Sequence, residues 1–208
     1  MADEIEVRAA IAAERHDLAT LLIGLTERQW DAPTLCEGWR VREVVAHMTM
    51  PFRVSTPKFL FELLKARGNF GKMADRTARA DTAALTSVEL AASMTDNTRH
   101  AWKPPGGRFE DALAHDVIHG LDFTVPLGVG RKVPEDRLRI VLDGLRPKNL
   151  NYFGVDLTGI ELRADDLDWS FGSGTPLSGA AQDLLMVLCG RTLHAGHLRG
   201  DTAARFTR

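Results

Sequence analysis

The run "DALAHDVIHGLDF" at residues 111–123 sets His115 and His119 four apart inside an apolar stretch, with Asp122 three further on. Four residues make about one helical turn, so both imidazoles leave the same stripe of a helix. Two nitrogens on one stripe can hold one cation, provided a third ligand arrives from another segment. His47, in "VVAHM", is the best placed to supply it, three residues after Val44 near the apolar side of its own predicted helix. In a bundle, inward side chains of neighbouring helices converge, which is how bundle cores assemble metal sites. Three protein ligands leave a coordination position open for water or substrate; a fourth, such as Glu37 or His16, would close it. A plainer reading stands beside this one, in which core histidines simply bond backbone carbonyls.

The surrounding residues divide in the same way. Asp122, one turn beyond His119, could orient an imidazole by accepting its free N–H, or could be a polar residue near a helix C-terminus. Trp39 is expected to pack its loop against the bundle. Cys36 precedes His47 by eleven residues and would reach the site only through a folded-back loop, so it is not assigned there. His16 and His100 read as helix-surface or core residues, and His194 and His197 as a solvated loop.

The elements that must position these residues follow from periodicity. Val7, Ile11, Leu18, Leu22 and Leu25 predict an amphipathic helix over 4–25. Val41, Val44, Val45 and Met48 mark the His47 helix, limited or kinked by Pro51. "TPKFLFELLKARG" has Pro57 in a first turn and Gly68 as a stop. Residues 69–84 carry charge with little periodicity and read mostly as loop. Thr86 with Glu89 three later is the capping-box signature at the start of another helix. After "KPPGG" comes the His115/His119 helix, then "VPEDRLRIVLDGL". Near residue 150 the pattern changes. Ile160, Leu162 and Ala164, then Leu167, Trp169 and Phe171, alternate with polar neighbours around an Asp-rich turn, a β-hairpin signature. Ser178 is the expected cap of a last helix ending at Gly190. The expected organisation is a metal-binding helical bundle over 1–150 and a small α+β domain over 151–208.

Composition narrows the function. With 208 residues, 44% hydrophobic and 26% charged, the chain is ordinary globular protein. A net charge of −2 argues against bulk nucleic acid or an acidic membrane as partner. No stretch approaches the roughly 20 apolar residues of a membrane span, and the start has no apolar signal core, so the cytoplasm is the expected compartment. The two cysteines, Cys36 and Cys189, form no CxxC pair and read as reduced thiols. Abundant arginine and alanine point to a GC-rich genome.

Three motifs, in order, carry a resemblance to a known family. "LCEGWRVREVVAHMT" resembles its Cys-x-Gly-Trp segment and the helix ending in its first metal-binding histidine. "EDALAHDVIHGLDFTVPLG" resembles its second metal helix, and "GIELRADDLDWSFGSG…LSGAAQDLLMVLCGR…LRGD" its C-terminal domain. The family is the mycothiol-dependent maleylpyruvate isomerase family, within the DinB-like superfamily of helical metalloproteins. The resemblance implies a mainly α fold, a DinB-like four-helix bundle with a small C-terminal α+β domain. It implies a divalent metal, usually zinc, at His47, His115 and His119. It also implies mycothiol, the thiol of the actinobacteria that make it, as cosubstrate. Many members of the isomerase branch carry glutamate where this chain has His115, while three histidines are common in the wider group. Arg191, in "CGRTL", matches the arginine ending the family's last helix; it could hold a substrate carboxylate or form a surface salt bridge. Arg76 and Arg79 could serve similarly. The implied activity is a metal-dependent isomerase or S-transferase acting on a small, maleylpyruvate-like electrophile, as a monomer or homodimer. A metal-hydroxide hydrolase on the same three histidines and a non-catalytic metal-binding or interaction bundle are the alternatives.

Overall fold

The structure, a computed structural model, describes residues 2–145 and 153–208. The chain forms two compact units, Ala2–Phe123 and Thr124–Arg208. The boundary expected near residue 150 falls within 146–152, outside the described residues.

The first unit is helical. α1 (Glu4–Ile23) opens on a reciprocal cap in which Asp3 accepts from the Glu6 amide and Glu6 from that of Asp3. It buries Val7, Ile11, Leu18 and Leu22 on one stripe. A short α2 (Glu27–Trp30) leads into the "DAPTLCEGW" loop and then α3 (Val41–Arg53). Pro51 sits inside α3, and the helix continues past it for two residues. α4 (Thr56–Lys65) starts with its proline in the first turn.

Residues 69–84 overturn the loop expectation. They form α5 (Phe70–Ala84), capped by the Asn69 side chain on the Lys72 amide. Its buried face is only Met73, Ala74 and Ala78. Small alanines gave no hydrophobic periodicity, although alanine is the strongest helix former. α6 (Ser87–Thr95) begins with the expected Thr86–Glu89 capping box. α3 packs on α5 and α6, and α1 on α6. α7 (Phe109–Leu127) carries the two-histidine stripe.

The second unit holds α8 (Glu135–Gly144) and a four-stranded sheet of order β2-β1-β3-β4. β1 (Ile160–Ala164) and β2 (Ser170–Gly172) make the expected antiparallel hairpin, with Leu162 opposite Phe171. β3 (Thr175–Gly179) runs parallel to β1, and β4 (Leu198–Arg199) antiparallel to β3. Ser178 therefore lies in a strand and caps nothing. The helix α9 (Ala181–Leu188) is instead entered from Ala180, with the Asp166 carboxylate accepting from the Ala181 amide. Gly190 takes a φ of 70° just past α9, as a helix stop requires. Among the described residues no helix is long and apolar enough to cross a membrane.

Candidate metal centre

α3 and α7 bring His47, His115 and His119 together. One nitrogen of each lies within 4.8 Å of the others, and the ring centroids are 4.8–5.2 Å apart. His47 is buried and the other two are half-buried. Nε2 of His115 stands 3.4 Å from Nε2 of His47. Two nitrogens each about 2.0–2.1 Å from one tetrahedral ion stand about 3.3–3.4 Å apart, so this spacing is what a shared cation asks for.

The outward nitrogens of the α7 pair are both engaged. His119 Nδ1 lies 2.9 Å from Asp122 Oδ2, and His115 Nδ1 lies 3.0 Å from Asp116 Oδ1. A carboxylate accepting Nδ1–H fixes the tautomer and aims the Nε2 lone pair the other way, the usual support of a metal-holding imidazole. Both carboxylates are buried, at 0% and 1% exposure for Asp122 and Asp116. His47 Nδ1 is buried with no hydrogen-bond partner. An orphaned buried nitrogen asks for a partner beyond the protein's own side chains, a water or an ion. The donor set therefore fits a nitrogen-ligated divalent ion.

Electrostatics keep the nitrogens available. Burial pushes the His47 imidazole well below its ordinary value, and the neighbouring His119 and His115 push the same way. Burial also lowers His115, against the opposing effect of the hydrogen bond that it donates to Asp116. Burial alone would raise Asp116, but the His115 hydrogen bond and the Arg15 charge hold it below the usual carboxylate range. Neutral imidazoles are the form that binds a metal.

Three residues that sequence reasoning left out belong to this neighbourhood. Cys36 reaches it because the loop does fold back, pinned by the Leu35 amide on the Asp122 carbonyl at 2.8 Å. Its Sγ is 2.9 Å from Asp122 Oδ2 and 3.9 Å from His119 Nδ1, and these three residues form a second cluster of ligand-type atoms. Asp116 was legible as a charged residue amid "ALAHDVIHGLDF", where burial demands a partner. Its partner Arg15, 101 residues away in α1, had no sequence signal.

Glu37 and His16 are exposed and in neither cluster. Trp39 packs on the His47 ring at 5.3 Å and donates Nε1–H to Asp75, while Trp102 packs on His115 at 5.1 Å. Arg76 and Arg79 stand on α5, paired with Glu62 and Asp75. Arg191 belongs to the second unit, just past α9, half-buried, with Nη1 donating to the Cys189 carbonyl at 3.3 Å. His197 is paired with Asp183 there, and His194 is exposed.

A mainly α protein whose bundle gathers three histidines over two buried carboxylates defines the class. Residues 11–123 match the model of the mycothiol maleylpyruvate isomerase N-terminal domain, and the chain belongs to that family. An uncharacterised protein of Mycobacterium tuberculosis, matched in two strains, is 26% identical over 225 residues, covering 92% of this chain and 87% of its own. Two crystal structures of the mycothiol-dependent maleylpyruvate isomerase share the fold. The TM-scores are 0.62 for a histidine-to-alanine mutant and 0.53 for the other structure. Both are 14% identical, over 97% of this chain and 94% of theirs.

Proposed function

We propose that the chain is a metal-dependent thiol enzyme, a mycothiol-using isomerase or S-transferase acting on a small electrophile. His47, His115 and His119 would hold one divalent cation, with zinc suited to an all-imidazole set. The observation that carries this reading is the 3.4 Å Nε2 separation in a cluster whose other α7 nitrogens are tied to buried carboxylates. When bound, the cation favours thiolate over thiol, and so supplies a nucleophile at neutral pH, where a free thiol of pKa about 8.5 is mostly protonated.

The side chains do the rest. Asp116 and Asp122 hold His115 and His119 in the tautomer that presents Nε2. Burial keeps His47 uncharged. Trp39 and Trp102 shield the rings from water on two sides. A donor set of three neutral imidazoles leaves the positive charge of the site undiminished, which favours an anionic sulfur more than a set containing glutamate would. In an isomerisation the thiolate adds to a conjugated cis double bond, rotation follows, and elimination returns the trans product; in a transfer the sulfur stays attached.

The test is metal content and thiol response. Purified protein should carry about one divalent ion per chain, and His119→Ala should lose affinity by about 10-fold or more. Adding mycothiol to cobalt-substituted protein should produce a sulfur-to-cobalt charge-transfer band. Protein without stoichiometric metal would overturn the metal reading. A cobalt spectrum indifferent to thiol would overturn the thiol reading and leave the water-activating hydrolase in its place.

A further inference from the structure

Arg15 is wholly buried in α1, at 0% side-chain exposure, against an Asp116 that is 1% exposed. Its Nε donates to Asp116 Oδ2 at 2.6 Å, and its Nη1 to the His100 carbonyl at 2.8 Å. The guanidinium lies over the Phe52 ring at 4.8 Å. Held on these sides, it leaves Asp116 one way to sit: Oδ2 on the guanidinium, and Oδ1 3.0 Å from His115 Nδ1. We propose that Arg15 is a positioning residue for the three-histidine cluster: by occupying one oxygen of Asp116, it commits the other to His115 and so selects which nitrogen that imidazole presents. The inference rests on the metal-centre reading for its purpose, but not for its geometry.

The physical step is a matter of donors and acceptors. Arginine only donates, so the atom facing it must accept. A carboxylate has two acceptor oxygens and can serve both neighbours. His115 then carries its proton on Nδ1, and its Nε2 lone pair faces His47 Nε2 at 3.4 Å. Asp122 is tied comparably, with Cys36 Sγ and His119 Nδ1 both on its Oδ2.

An amide in place of the carboxylate separates this role from mere packing. In Asp116→Asn the single carbonyl oxygen must face Arg15, so the NH2 group faces His115 Nδ1, which has to accept. The ring proton then moves to Nε2, where it blocks a metal. Removing the arginine as well frees the amide to turn round. Long-range 1H–15N spectra of the metal-free protein should show His115 as the Nδ1–H tautomer in the wild type and the Nε2–H tautomer in Asp116→Asn. Nδ1–H should return in Arg15→Met/Asp116→Asn. Cobalt affinity should fall by about 10-fold or more in the single variant and recover in the double one. An unchanged tautomer in Asp116→Asn, or a double variant further from wild type than the single one, would overturn the proposal. Should Asp116→Asn fail to fold, Arg15→Met alone decides: the Asp116 carboxylate, no longer held, should release His115 in part of the population, read as an upfield shift and faster exchange of the His115 Nδ1 proton, and a resonance unchanged from wild type overturns the proposal. If the wild type binds no metal, the tautomer readout still stands, so failure of the metal reading and failure of this one are distinguishable.

Discussion

At the scale of single residues, the cluster contains two bases, His47 and His115, kept uncharged at a cost. His47 and His115 both sit below their ordinary values, chiefly through burial. Below about pH 6.5 the unfolded chain therefore takes up protons that the folded, metal-free protein refuses. Stability must fall as the pH drops through that region, by up to about 1.4 kcal/mol per pH unit for each group. His100, lowered by burial and by Arg15, adds in the same direction. Asp116 is displaced the other way: held low, it contributes stability above about pH 4 that is lost only under more acid conditions. The urea midpoint of metal-free protein should be level between pH 7 and 8 and decline from about 6.5 to 5. His47→Gln should make that decline shallower. A midpoint level down to pH 5 would mean that the folded protein charges these rings freely.

At the scale of elements, the loop before α3 connects the two metal-bearing segments. The Leu35 amide grips the Asp122 carbonyl, and the Trp39 amide turns back onto the Cys36 carbonyl. Gly38 adopts a φ of 75°, and a Cβ there would meet only Arg79 Nη2 at 3.7 Å. The cost of Gly38→Ala is thus backbone strain, about 1–2 kcal/mol, or a fall of about 2–8 °C in Tm. Because Cys189 is buried, the rate of reaction with an aromatic disulfide reports Cys36, and it should rise in this variant. Unchanged Tm and rate would show that the turn does not hold the loop. Local signals were legible here: the i,i+4 histidines, the Thr86–Glu89 cap, and the period-two hairpin all depend on neighbours within a few residues. Ser178 looked like a cap because the parallel pairing of β3 with β1 is not written in either segment. α5 was hidden because its buried stripe is alanine-rich, and Cys36 and Arg15 because their partners lie 86 and 101 residues away.

At the scale of the whole molecule, every proposed ligand lies within Ala2–Phe123, so a cation stabilises that unit first. Binding to the folded state alone adds about 2.7 kcal/mol at a hundredfold excess over Kd. With about 2–4 °C per kcal/mol for chains of this size, zinc should raise the melting midpoint by about 5–10 °C, and a chelator should reverse it. Tryptophan fluorescence can assign the shift, since Trp30, Trp39 and Trp102 lie in the first unit and Trp169 in the second. In Trp169→Phe the remaining fluorescence reports the first unit only, and it should show the full zinc-dependent rise. His119→Ala in that background should lose most of the rise while keeping the metal-free midpoint within a few degrees, because the ring lies at the margin of the core and Cys36 still bonds the Asp122 carboxylate. A rise that survives His119→Ala would place the stabilising cation elsewhere in the chain, and the three-histidine centre would lose its claim to it.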